Sequence, residues 1–106
     1  MRLIDLSPRW FDVPGRGGAI DGVSFLCPHC QKVRLAVQFT PMGVDATLAA
    51  AAPAGFPGHE PVLIPLVGLV WTRTGETFDV LTLSPSVDAS ASGHWHGFVQ
   101  QGQASL

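Results

Sequence analysis

Charge is scarce in this chain of 106 residues: six basic and eight acidic side chains leave a net charge of −2. No basic stripe runs along it, which argues against tight binding to a phosphate backbone. Long apolar runs are missing as well. The most apolar stretch, Val62 to Trp71, is too short to span a bilayer and is interrupted by Pro65 and Gly68. No basic, apolar, small-residue leader opens the sequence, so neither a secretory signal nor a membrane role is expected. There is no phosphate loop, no dinucleotide fingerprint and no glycine-flanked nucleophile elbow. Ser84, Ser86 and the serines of residues 90–92 therefore read as turn formers. Internal repeats and linkers are absent too, so residues 1–106 are expected to form one domain in the bacterial cytoplasm.

Cysteine is nearly absent, and the two that exist sit three positions apart in Cys27-Pro28-His29-Cys30. Two of the four histidines sit two positions apart in His94-Trp95-His96. Two thiolates on a tight turn can reach one cation, and Pro28 preorganises that turn. On a strand, residues i and i+2 share a face, so His94 and His96 would point together with Trp95 opposite. The sequence therefore proposes Cys27, Cys30, His94 and His96 as a tetrahedral Zn²⁺ shell. His29 is a substitute ligand, and one histidine of the pair could instead support the other. Rival readings stay open: redox chemistry or plain buried thiols for the cysteines, and surface histidines beside a packed tryptophan for the other pair. Cys-Pro-His-Cys also serves in thioredoxin-fold disulfide oxidoreductases, but there the motif starts a helix.

A closed four-residue shell is structural, whereas three protein ligands leave a position for water and catalysis. A general base would then come from Glu60, Glu76, Asp79 or Asp88, none of which stands in a recognisable motif. Zinc nucleobase deaminases need a histidine and a glutamate two residues on, before their Cys-x-x-Cys. That order is not found.

Nine prolines and twelve glycines signal many turns. Val23–Leu26 reads as a strand entering the cysteine turn. Val33, Leu35, Val37 and Phe39 alternate with Lys32, Arg34, Ala36 and Gln38, the mark of a half-buried strand leaving it. Leu3–Leu6 reads as a short strand, Asp45–Ala52 as a helix capped by Asp45, and residues 53–61 as a Pro/Gly loop. Val62–Trp71 reads as a strand with Pro65 at an edge, residues 72–76 as a turn, and Thr77–Leu83 and His94–Val99 as strands. The expected fold is mainly β (a small α+β fold is the variant), with zinc-stapled hairpins and one short helix. Trp10, Phe11, Trp71, Phe78, Trp95 and Phe98 are assigned to the core or to support of the metal hairpin.

Leu81-Thr82-Leu83-Ser84-Pro85-Ser86-Val87, then His94-Trp95-His96-Gly97-Phe98-Val99 and Gly102, resembles a family of small phage and prophage proteins. Their C-terminal half reads T-L-(S/T)-P-S-(I/V), then H-G-(F/Y)-(I/V), then G. Trp71 and the Cys27–Cys30 turn match its upstream tryptophan and cysteine-bearing turn. Some members carry an ammonia monooxygenase label that the motif does not support, and relatives appear beside bacterial ubiquitin-like conjugation genes. Members often have cysteine where this chain has His94, an exchange zinc tolerates. The resemblance implies a phage-type, zinc-binding accessory protein with a macromolecular partner, such as a protein of a host defence system. A zinc-dependent hydrolase and a disulfide oxidoreductase are the alternatives.

Overall fold

The computed structural model describes residues 1–12, 20–51 and 62–105. The expected loop at residues 53–61, and Ala52, lie outside the described residues. The fold is mainly β, with one α-helix.

A four-stranded sheet forms the frame, in the order β1 (Arg9–Phe11), β2 (Gly22–Leu26), β3 (Val33–Gln38), β4 (Val62–Leu66). β1, β2 and β3 pair antiparallel. β4 pairs parallel to β3, after a crossover that contains α1 (Val44–Ala51). The hairpin expected around the cysteine turn is β2–β3. The crossover escaped notice because α1 is an alanine run without a polar face to reveal which side it buries. It starts at Val44, one residue early, with Asp45 inside its first turn and not at its cap. There the carboxylate still faces the positive end of the helix dipole. Pro65 does lie on a terminal strand, opposite Ala36. That strand ends at Leu66, not at Trp71.

The period-two pattern of β3 places residues correctly but understates burial. Val23, Phe25, Leu35 and Val37 project into the main core with Trp71, Leu81, Leu83, Val87, Trp95 and Val99. Arg34, Ala36 and Gln38 are buried too. A smaller core of Phe11, Ala36 and Ala51 covers that second face, joined by Leu63. Arg34 is compatible with burial because its guanidinium donates to Ser7 O (2.8 Å) and Ser24 Oγ (3.2 Å). Gly22 has no substitute at its position: an added Cβ would collide with the Phe11 ring and Val37 O.

The second half consists of three small antiparallel pairs. β5 (Thr72–Thr74) pairs with β6 (Thr82–Ser84), β7 (Val87–Asp88) with β8 (His96–Gly97), and β9 (Val99–Gln100) with β10 (Gln103–Ala104). Residues 72–76 were expected as a turn, yet 72–74 are β5. The strand expected over Thr77–Leu83 is reduced to β6 because residues 78–80 turn, with Val80 N–H donating to Thr77 O (3.3 Å). Phe78 leaves the ladder to stack on Trp10, centroids 4.5 Å apart. Leu3–Leu6 is a 3-10 helix, not a strand. Three-residue spacing puts Leu3 and Leu6 on one side of it, and both are buried. Its backbone joins the C-terminal hairpin: Leu3 N–H donates to Gly102 O (2.8 Å), and Ala104 N–H to Met1 O (2.8 Å).

The Gln101-Gly102 turn has both residues at positive φ, 49° and 73°, as a two-residue hairpin turn requires. A Cβ on Gly102 would strike the backbone of Asp79. Gly102→Ala should therefore cost at least about 2 kcal/mol, from left-handed strain plus the collision. A urea midpoint within error of the unsubstituted protein would contradict this packing.

Candidate metal centre

The cysteine motif is the turn that joins β2 to β3. Cys27 N–H donates to Val33 O (2.9 Å) and Gln31 N–H to Cys27 O (2.8 Å), which closes the loop on itself. Gln31 adopts φ 54°, so the chain reverses within four residues of Cys27. Cys27 is fully buried in the main core and Cys30 is half-buried at its rim. Both thiols are free. Lys32 N–H donates to Cys30 Sγ (3.4 Å). That amide is the chief reason the Cys30 thiol lies below its ordinary pKa, helped by Cys27 and opposed by desolvation.

His94 reaches the turn from the other end of the sequence. The segment expected as one strand, His94–Val99, is broken. A 3-10 turn at Ser90–Ser92 ends on Gly93 in the left-handed region, φ 77°. His94 N–H then donates back to Ala89 O (3.1 Å), which keeps His94 in the β7–β8 connection. Its Nδ1 lies 3.7 Å from Cys30 Sγ. A tetrahedral zinc with ordinary Zn–S and Zn–N bonds separates such atoms by about 3.5–3.8 Å. The ligand atoms of Cys27, Cys30 and His94 all lie within 4.8 Å of one another. Two thiolates and an imidazole at these separations can hold a metal ion.

Among the described residues that group contains no fourth member. His96 sits on β8 and is exposed, and its Nε2 lies 3.3 Å from Ser86 Oγ. The i, i+2 geometry fails because His94 is not on the strand. His29 is exposed and stands outside the group. Ser86 is thus more than a turn former, although no motif in the sequence singles it out. Asp88 is occupied by Ser90, whose N–H (2.9 Å) and hydroxyl (2.5 Å) donate to its carboxylate and lower its pKa, with a smaller contribution from His96. Asp79 accepts from the Thr77 hydroxyl. Glu60 lies outside the described residues. The turn setting also withholds from the thiols the helix N-terminus that a thioredoxin-type site uses.

No protein-family model, curated protein or solved structure matches the chain.

The two sulfurs differ in exposure and acidity. In metal-free protein, iodoacetamide should modify Cys30 well before Cys27, by peptide mass spectrometry. Because a bound cation consumes both thiolates, added Zn²⁺ should protect the pair. Faster labelling of Cys27 would contradict the buried position.

Proposed function

We propose that Cys27, Cys30 and His94 bind Zn²⁺, and that the ion crosslinks the β2–β3 turn to the β7–β8 connection. On this reading the chain is a phage- or prophage-type accessory protein of the bacterial cytoplasm. It acts by binding another macromolecule, a protein such as a host defence component. The observation that carries the metal reading is the convergence of three ligand atoms from segments 64 residues apart. Free thiols fit a reducing compartment. No described helix is long and apolar enough to cross a membrane.

The binding role draws on the phage-family resemblance and on one surface feature. Val67, Leu69 and Val70 stand exposed in a single loop after β4, by 36%, 46% and 39%. Adjacent exposed apolar side chains of this kind suit a protein partner. With a net charge of −2, nucleic acid is a poor candidate.

The three-member group also favours a second reading, a zinc hydrolase with water in the fourth position. Against it, no carboxylate of the described residues joins the group to serve as general base.

Metal analysis separates these possibilities from a metal-free fold. Purified protein should contain about one Zn²⁺ per chain. Cys27→Ser, Cys30→Ser and His94→Ala should each lose it, while His96→Ala keeps it. By analogy with a covalent crosslink closing a loop of this length, the ion should contribute roughly 4 kcal/mol, read as a fall in the unfolding midpoint on chelation. Metal-free protein with the same midpoint in chelator would refute the proposal.

A further inference from the structure

We infer that Cys27 and Cys30 form a redox switch: a hydroperoxide that reaches Cys30 joins the two sulfurs in a reversible disulfide, and this bond and a bound metal ion exclude each other. The inference rests in part on the metal reading above and deepens it by naming what regulates that site.

The two sulfurs are placed for such a bond. They occupy one turn, closed by the Gln31 N–H donating to Cys27 O (2.8 Å). Tight turns hold the α-carbons of residues i and i+3 within about 7 Å, close to the span that a disulfide bridges. Both thiols are free, and their sulfurs lie within 4.8 Å of each other. Cys30 packs on the main core from its rim, while Cys27 is enclosed in it. An oxidant in solvent therefore meets Cys30 first and finds Cys27 shielded. An accessible sulfur beside a second cysteine that resolves its oxidation is the arrangement of thiol sensors.

The chemistry balances in two steps. The Cys30 sulfur attacks the peroxide, the O–O bond breaks, and Cys30 becomes a sulfenic acid. The Cys27 sulfur then attacks Cys30, the S–O bond breaks, and the disulfide forms. Each departing oxygen takes a proton, from the thiol itself in metal-free protein and from solvent when the sulfur is a metal ligand. Two electrons pass from the sulfur pair to the peroxide. A metal ion keeps its charge and is released, because both of its sulfur donors are consumed and the His94 imidazole alone remains. The new bond closes only the turn from Cys27 to Cys30, whereas the ion ties segments 64 residues apart. The disulfide thus restrains the unfolded chain less than the ion it displaces.

Zinc-loaded and metal-free full chains are treated with hydrogen peroxide and followed by intact mass, peptide mapping and a chromogenic zinc chelator. Metal-free protein should lose two hydrogens, about 2 Da, with Cys27 linked to Cys30 in one chain, and dithiothreitol should restore both thiols. Zinc-loaded protein should release about one ion per disulfide formed. Its unfolding midpoint should fall and should recover with dithiothreitol and zinc. In Cys27→Ser, Cys30 should stop at a sulfenic acid that dimedone traps. In Cys30→Ser, oxidation at Cys27 should slow by about ten-fold or more. Three results on the unsubstituted chain overturn the inference whether or not the variants fold: disulfides between chains, sulfinic acid on Cys30 in place of the disulfide, or zinc retained by disulfide-bonded protein. Thiols that stay free in a chain that holds zinc also overturn it and leave the metal site standing. A disulfide in a chain that never binds zinc overturns the metal reading, and the exclusion with it.

Discussion

The edge-to-face contact of Phe25 with Trp95 governs the rest of the structure. Their centroids lie 6.1 Å apart at 78°, and both rings are fully buried. Phe25 precedes Cys27 by two residues, and Trp95 directly follows His94. Packing these rings therefore sets the offset between the cysteine turn and the histidine. The Trp95 indole N–H donates to Ser105 O (2.7 Å), which fixes the ring from its far side. The aromatic core brings the ligands within range, so an ion would find them already near each other and spend little of its binding free energy on gathering them. The ligands also hold their own local geometry, one through a self-closed turn, the other through the left-handed Gly93.

Much of the frame is visible in the residues. The alternation of Val33, Leu35 and Val37 gave the strand, its inward face and its antiparallel partner. Pro65 marked an edge. What stayed hidden depends on tertiary cover. Arg34 and Gln38 look solvent-facing until Ser7 and Ser24 take up the first and Met42 and Leu69 the second, and nothing in an alanine-rich octet announces where it will lie. Leu3–Leu6 was expected as a strand and is a 3-10 helix, since four residues cannot display a period. Residues 72–83 were misjudged because the chain turns at residues 78–80, which carries Phe78 onto Trp10.

The candidate metal centre divides in the same way. Cys-x-x-Cys is local, and its turn geometry was readable from spacing and Pro28. His94 was nominated for a strand geometry it does not have, and it reaches the cysteines through a loop instead. His96, nominated with equal weight, belongs to a different contact. Two histidines two apart are equivalent only while the backbone between them is extended. The 3-10 turn at Ser90–Ser92 breaks that equivalence, and small residues there gave no sign of it.

The first residues of the chain are sealed against its last hairpin. The Met1 amine donates to Ala104 O across 103 positions, and Leu3 closes on Gly102. During synthesis Leu3 and Leu6 therefore meet β2 long before the hairpin of residues 99–104 closes over them. Until then the cysteine turn can form, since its contacts are local, while its histidine is still unmade. The thiols are thus presented before the histidine that comes to face them exists.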